Sequence, residues 1–131
     1  MLDTDVVINS MLRSRHVPQR VRDALSDPTA VRWISVVSVF EISVKHSLGK
    51  LPLPESFGRN FSTAFTDVLD GLAATTLDVR LSHALRVRGL PPHHRDPFDR
   101  LLIAQALDEE LTMVSGDRQF AAYDGLKLMP A

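Results

Sequence analysis

The stretch from Pro91 to Leu107 constrains the fold more than any other part of the sequence. It reads PPHHRDPFDRLLIAQAL, a helix start with two aspartates, Asp96 and Asp99, followed by residues that are apolar on nearly every side of the helix. A helix of this kind belongs in the middle of a fold and not on its surface. Asp99 is therefore carried toward the interior, where an ionised carboxylate is costly unless another charge compensates it.

Apolar, β-branched segments alternate with helical ones along the whole chain. This alternation predicts an α/β fold, a three-layer α/β/α sandwich with a central, mostly parallel sheet. Ligands of such open sheets bind outside the carboxyl ends of the strands. Strands are predicted at 1–2, 30–37, 73–77, 111–114 and 126–129. Helices are predicted at 6–12, 18–25 (with Pro18 in the first turn), 38–48, 55–69, 79–88, 97–110 and 120–123.

Length and composition narrow the class of protein. The 131 residues fit one compact domain, residues 1–131, that can bury a core without covalent crosslinks. Cysteine is absent, which excludes a disulfide framework and a thiolate zinc site and fits a reducing compartment. Acidic residues number 16 and basic ones 15, so the net charge of -1 does not indicate a nucleic-acid partner. No apolar run approaches the roughly 18 residues of a membrane span, and no signal peptide is visible, so we expect a cytoplasmic protein.

Four carboxylates fall at the expected binding edge of the sheet: Asp3, Glu41, Asp99 and Asp117. Asp3 and Asp117 follow predicted strands, whereas Glu41 and Asp99 lie near the starts of helices. All four should sit at the same end of the sheet, where four separate segments can converge on one point.

Local structural roles explain the same residues without any site. Ser38 and Glu41 fit a capping box, and Glu41 can also pair with Lys45 one turn later. Asp96, before a proline at the first helical position, is best interpreted as a helix cap. Asp117 can simply make a turn. Spacing alone does not decide between these roles and a shared site.

The repulsion between carboxylates bears on the choice between local structural roles and a shared site. Two carboxylates about 4 Å apart repel by about 4 kcal/mol at an effective dielectric near 20. Several such groups cannot stay ionised and buried together without a cation or bound protons. A set of carboxylate oxygens suits Mg²⁺ or Mn²⁺, and such a metal supports phosphodiester hydrolysis.

Four segments, in order and nearly end to end, resemble the PIN domain, and within it the VapC toxins of bacterial toxin–antitoxin pairs. The third segment is the most specific of the four. They are Leu2-Asp3-Thr4 with the apolar residues after it, SVVSVFEI at 35–42 continued by KHSLGKL at 45–51, PHHRDPFDRLLIA at 92–104, and VSGDRQF at 114–120.

The resemblance implies a Mg²⁺-dependent endoribonuclease that acts as a toxin, with Mn²⁺ as a possible substitute. Asp3, Glu41, Asp99 and Asp117 would be its acidic quartet. Asp3 and Asp99 would bind the metal directly, and Glu41 and Asp117 would complete the pocket or act through water. The resemblance also implies an RNA substrate, a homodimer and a small cognate antitoxin whose C-terminal segment covers the acidic cleft.

The sequence departs from the family pattern near its start. Only Met1 and Leu2 precede Asp3, where relatives usually have several more apolar residues. Asp5 stands where close relatives often carry histidine, and we expect it to face the rim of the pocket.

Residues beside the acidic motifs are weaker candidates. An enzyme that acts on RNA needs cations near its acids, and the candidates for that role are Arg95, Arg100 and Arg118. His93 and His94 are candidates for proton transfer or metal binding, although loop packing explains them at least as well. The stripe of Phe57, Phe61 and Phe65 is expected in the core, with a groove for the antitoxin as the alternative.

Two other functions compete with the ribonuclease. Asp3-Thr4-Asp5 also fits the opening motif of haloacid dehalogenase-like phosphatases, with Asp3 as the nucleophile and Asp5 as the acid–base residue. This reading leaves Glu41 and Asp99 without a role. The second alternative is a non-catalytic binding domain whose acidic pocket consists only of caps.

Overall fold

The computed structural model describes residues 1–12 and 19–131. The predicted place of Pro18 in a helix start lies outside the described residues. Helices and strands alternate as predicted. They are α1 (Thr4–Met11), α2 (Gln19–Ser26), β1 (Arg32–Ser35), α3 (Val36–Ser47), α4 (Glu55–Arg59), α5 (Phe61–Gly71), β2 (Ala74–Leu77), α6 (Leu81–Val87), α7 (Pro97–Asp108), β3 (Thr112–Ser115), a 3-10 turn (Arg118–Ala122) and β4 (Lys127–Pro130).

The sheet is parallel throughout its described pairings. β1 pairs with β2, and β3 pairs with β4. Leu2 joins the two pairs, because it forms a parallel bridge to Ile34 in β1 and another to Val114 in β3. The strand order is therefore β2, β1, Leu2, β3, β4, and the chain segment that leads into Asp3 lies at the centre of the sheet.

Alternate residues of the strands face two separate hydrophobic clusters. Ile34 and Val114 pack into a cluster with Val7 of α1 and Phe65 of α5. Met113, on the other face, packs in a second cluster that includes buried residues of α7. Two helical layers thus cover the sheet, which confirms the predicted α/β/α sandwich. Among the described residues, no helix combines the length and apolarity needed to cross a membrane.

Helix α7 lies in the interior, as its sequence predicted. The side chain of Asp96 caps it by accepting a hydrogen bond from the Phe98 amide at 2.7 Å, and Pro97 occupies the first helical position. The five residues from Leu102 to Ala106 are buried. The cap fixes where the helix begins, and thereby where the side chains of its first turn lie.

Two predicted helix boundaries were wrong. Helix α3 begins at Val36 and is capped by Ser35, whose hydroxyl accepts from the Val37 amide at 3.0 Å. Ser38 is therefore an interior residue of the helix, and the predicted capping box between Ser38 and Glu41 does not form. The predicted helix 55–69 is two helices, because Asn60 ends α4 and caps α5.

The phenylalanine stripe continues across the break between α4 and α5. Phe57 contacts Phe61 with ring centroids 5.8 Å apart, and Phe61 stacks on Phe65 at 6.0 Å. Phe57 and Phe65 are buried, which supports the predicted core role.

Candidate functional site

A polar cavity of about 160 Å³ opens at the carboxyl ends of the central strands, beside the first turn of α7. The structure brings all four predicted carboxylates to its wall. Six carboxylates and one lysine of the described residues line it, so the cavity is rich in negative charge. Its lining residues are Asp3, Thr4, Asp5, Glu41, Lys45, Asp96, Asp99, Asp117 and Phe120.

Asp3 is held firmly at the floor of this cavity. It follows the Leu2 bridge, caps α1, and is only 5% exposed. One carboxylate oxygen accepts from the Thr4 amide at 2.7 Å, and the other accepts from the Ser115 hydroxyl at 2.6 Å. Burial nevertheless raises the pKa of Asp3 above its ordinary value, against the opposing effect of the two hydrogen bonds.

Asp117 is tied to the same serine. Its backbone amide donates to the Ser115 hydroxyl oxygen at 3.0 Å, while its Oδ1 caps the 3-10 turn by accepting from the Gln119 amide at 2.8 Å. Its Oδ2 lies 3.1 Å from Nε2 of the buried His94. Ser115 thus links the carboxylate that follows Leu2 to the one that follows β3.

Glu41 enters the cavity from α3 with an ammonium beside it. Its Oε1 is 2.5 Å from Nζ of Lys45, the pair predicted from their spacing. The hydrogen bond to Glu41 raises the pKa of Lys45. The other carboxylate oxygen, Oε2, is buried and has no hydrogen-bond partner among the described residues. An unpartnered buried carboxylate oxygen is costly in free energy and marks a place where a cation or water would bind.

Asp99 lies in the first turn of α7 and is partly buried. Burial, followed by the negative charges of Asp96 and Asp3, raises its pKa to about 6. A carboxyl group in this state gains strongly from a nearby positive charge. Asp5 is exposed at the rim, as expected.

Three polar residues that support the site were not singled out from the sequence. Ser115 lies inside the fourth motif, and its position between a strand end and Asp117 was the available signal. Thr4 donates to the Ser38 hydroxyl at 2.9 Å in the buried contact between α1 and α3. Tyr123 contacts His94, and nothing in the local sequence pattern indicated that contact.

The predicted RNA-binding arginines divide into two groups. Arg95 and Arg118 are exposed. Arg100 instead donates four hydrogen bonds to backbone carbonyls of the segment before α7, and these bonds indicate a structural role in place of the predicted RNA contact. Its acceptors are the carbonyl oxygens of Val87, Leu90, Pro91 and His94, at 3.1, 3.0, 2.9 and 3.2 Å.

The donor set of the cavity fits a hard divalent cation in its chemistry. Its carboxylate oxygens are ligands of the type that Mg²⁺ and Mn²⁺ prefer, and Glu41 Oε2 is buried without a partner. Within residues 1–12 and 19–131, no group of three or more His, Cys, Asp or Glu side chains is arranged to hold a metal ion. Mg²⁺ commonly binds through one or two carboxylates with water as its remaining ligands, so it does not require such a group.

Comparison with known proteins gives one family and a similarity in fold to solved structures. The family model for the PIN domain matches residues 1–126. A chain in the crystal structure of DNA-bound VapBC from Salmonella typhimurium is similar in fold, with a TM-score of 0.66 and 20% sequence identity, over 99% of this chain and 96% of that chain. No curated protein sequence matches this chain significantly.

Proposed function

This chain belongs to the PIN domain family, and from that premise we propose that it is a metal-dependent endoribonuclease, the toxin of a toxin–antitoxin pair in the cytoplasm. The observation that supports this most directly is the convergence of carboxylates from four separate segments on one polar cavity. Caps alone would not require that the acids share a cavity, nor that Glu41 Oε2 be buried there without a partner.

Each carboxylate has a proposed role. Asp3 and Asp99 would bind Mg²⁺, or Mn²⁺ in its place, and Glu41 and Asp117 would act through water. When bound, such a cation lowers the pKa of a coordinated water and withdraws charge from a phosphoryl oxygen. Lys45 offsets the charge of Glu41, so that the cavity does not hold all its carboxylates uncompensated.

The chemistry of the cavity and its rim supports a nucleic acid as the substrate. The exposed Arg95 and Arg118 flank the acidic motifs and would bind phosphates on either side of the cut. In the step that we propose, a water oxygen bonds to the phosphorus of an RNA backbone phosphodiester and one P–O ester bond breaks. The products are a phosphate monoester and a ribose hydroxyl, which takes up the proton that the water loses, and the four carboxylates hold the reacting groups in place.

We also propose two protein partners, a small antitoxin and a second copy of this chain. The similar Salmonella typhimurium structure is a VapBC assembly on DNA, which supports a partner protein for this chain as well. An apolar groove between α3 and the start of α7 further supports protein association, because Phe40 is 59% exposed beside it.

The test is incubation of the purified protein with total RNA and Mg²⁺, with the cut ends mapped by sequencing. We expect the wild type to cut at defined sites and Asp3→Ala to cut none of them. Folding of the variant is checked by circular dichroism, since Asp3 also caps α1. Metal-independent cleavage, or equal cleavage by the variant, would contradict the proposal.

Asp5→Asn separates the proposal from the phosphatase alternative. Asp5 is exposed at the rim, so we expect its variant to cut RNA almost normally. A phosphatase that uses Asp5 as its acid–base residue would lose all activity instead. A non-catalytic domain would show no RNA cleavage by any variant and no rise in melting temperature with Mg²⁺.

A further inference from the structure

His94 is a buried polar residue that the proposed reaction does not use directly. It lies in the segment before α7 and is 6% exposed. Its ring contacts two aromatic side chains, with centroids 4.6 Å from Phe120 and 5.5 Å from Tyr123. Its backbone carbonyl accepts a hydrogen bond from Arg100 at 3.2 Å. His94 is therefore held by two aromatic contacts and through its own backbone.

The hydrogen bonds of Tyr123 determine which ring nitrogen carries the proton. The phenol oxygen accepts from the backbone amide of His94 at 2.9 Å and lies 3.1 Å from Nδ1 of the same residue. The phenol has one proton to donate, and Nδ1 is its acceptor within the described part of the chain. Tyr123 is 3% exposed, so a phenol proton directed elsewhere would lose a hydrogen bond in a buried place. Nδ1 therefore accepts, and Nε2 carries the proton.

This assignment places a donor opposite Asp117. Nε2 of His94 lies 3.1 Å from Asp117 Oδ2. The opposite tautomer would set a bare nitrogen lone pair against a carboxylate oxygen, which is repulsive. The other oxygen, Oδ1, already accepts from the Gln119 amide at 2.8 Å. With one donor on each oxygen, the plane of the carboxylate is fixed relative to β3.

We propose that His94, held in one tautomer by Tyr123, is a positioning residue that orients the Asp117 carboxylate toward the acidic cavity. The inference rests on the proposed function, because it assigns Asp117 to the reacting site. Asp117 needs such support more than Asp3 does, since its side chain is 43% exposed and water competes for its oxygens. Partners that orient carboxylates beside a metal typically change affinity or activity about 10- to 100-fold when removed.

A purely structural role for His94 predicts a different result. If the ring only fills the space beside Phe120, a phenyl ring would serve equally well. His94→Phe keeps the aromatic packing and removes the donor to Asp117. His94→Gln removes the ring but can place an amide N–H near the position of Nε2. The two variants therefore separate packing from positioning.

The first measurement is long-range ¹H–¹⁵N NMR of the metal-free protein. We expect the His94 ring to carry its proton on Nε2 in the wild type, and Tyr123→Phe to mix the two tautomers. We also expect His94→Phe to shift the ¹³C carboxyl resonance of Asp117 and to leave that of Asp3 in place. A proton on Nδ1 in the wild type, or an unchanged Asp117 resonance in His94→Phe, overturns the inference. Tyr123→Phe also leaves the His94 amide without its acceptor, so the His94 variants decide the matter if Tyr123→Phe does not fold.

The second measurement is kinetic and uses an RNA oligonucleotide that the wild type cuts. We expect His94→Phe to lower kcat about 10- to 100-fold with little change in KM, and His94→Gln to recover part of the loss. Thr29→Ala, which alters an exposed turn outside the site, should stay near the wild type. Equal kcat for His94→Phe and the wild type contradicts the inference. If the wild type cuts no RNA at all, the proposed function fails, and the NMR results still decide whether His94 positions Asp117.

Discussion

The acidic cavity has two halves that differ in how the protein satisfies their charge. Asp3 and Asp117, which follow the Leu2 bridge and β3, form the sheet half. Both oxygens of each carboxylate lie within hydrogen-bond distance of a group of the protein. Glu41 and Asp99, on α3 and α7, form the helix half. There one oxygen of Glu41 is buried without a partner, and the pKa of Asp99 is raised to about 6.

The difference indicates which half would gain more from an external positive charge. Donors from the chain fix the sheet half before anything binds, although burial still raises the pKa of Asp3. The helix half has Lys45 on one oxygen of Glu41 and Asp96, a further negative charge, beside Asp99. A bound cation should therefore stabilise the helix half more than the sheet half.

The largest effect is expected from Asp99→Asn. The variant removes one of the two proposed direct metal ligands, and a loss of several kcal/mol of transition-state stabilisation lowers the rate about 100-fold or more. It should also abolish the rise in melting temperature that we expect Mg²⁺ or Mn²⁺ to give the wild type. Both effects are measured by RNA cleavage and by thermal denaturation with and without metal.

Asp96→Asn is the matched control for that prediction. Asp96 lines the same cavity and carries the same charge, but its side chain serves as the cap of α7. Asparagine caps helices about as well as aspartate does. We expect this variant to keep its metal-dependent stabilisation and most of its cleavage. Equal losses in the two variants would mean that total negative charge matters, and not the position of Asp99.

The second effect is expected from Ser115→Ala, which breaks the sheet half. The hydroxyl donates to Asp3 and accepts from the Asp117 amide, so its loss leaves a buried carboxylate oxygen without its donor. We expect a loss of about 1–3 kcal/mol in the free energy of unfolding, measured with urea. Cleavage should fall as well, but less than in Asp99→Asn, because both proposed direct ligands remain. Thr29→Ala, a change in an exposed turn, is the control for a general loss of a hydroxyl.

The sequence was sufficient to predict the layers and the edge of the sheet at which the four carboxylates lie. In a parallel sheet, residues after strands and at the starts of the following helices must meet at one edge, so order along the chain fixes their place. Asp96 and Pro97 identified the start of α7, and the prediction held because both features favour the same boundary. No such agreement existed at Ser35 and Ser38, since either serine can cap a helix that follows apolar residues.

The misjudged details depend on contacts that are distant in the sequence. Ser38 is buried against Thr4, 34 positions away, and Ser35 ends a strand whose register is set by β2. The phenylalanine stripe keeps its helical spacing across Asn60, so periodicity did not reveal the break between α4 and α5. Arg100 looked like an RNA contact from its place beside Asp99. Only the conformation of the preceding segment shows that its donors are used by backbone carbonyls.

A third, smaller effect concerns the pH dependence of stability without metal. The folded-state pKa of Asp99 is about 6, above the ordinary value of 3.8. A raised pKa means that the folded state binds the proton more tightly. The stabilisation from protonated Asp99 is therefore complete below about pH 3.8 and is lost as the pH rises through about 6.

The comparison of the wild type with Asp99→Asn isolates the contribution of Asp99 to the free energy of unfolding, because the other titrating groups are common to both proteins. In EDTA, the wild type should lose stability relative to Asp99→Asn between pH 5 and pH 7. We expect a difference of about 1 kcal/mol, since partial exposure screens the charge. Saturating Mg²⁺ at pH 7 should reverse the order of the two proteins. Parallel stability curves in EDTA would show that the surroundings of Asp99 do not raise its pKa. The contrast between the two halves would then rest on Glu41 alone.

The smallest effects are expected at the rim, where each half has one exposed arginine: Arg95 precedes α7, and Arg118 follows Asp117. If single-stranded RNA crosses both halves, Arg95→Gln and Arg118→Gln should each reduce the slope of log affinity against log salt by about 0.7, the value for one phosphate contact. The measurement is fluorescence anisotropy of labelled RNA over a salt series, with Asp3→Ala as the background to prevent cleavage.

A reduction in Arg95→Gln alone would place the RNA backbone over the helix half, and one in Arg118→Gln alone over the sheet half. An unchanged slope in both variants would remove these arginines from the RNA path. Because the metal is expected to act mainly on the helix half, an RNA path confined to the sheet half would leave the scissile phosphate away from Asp99 and would contradict its proposed role.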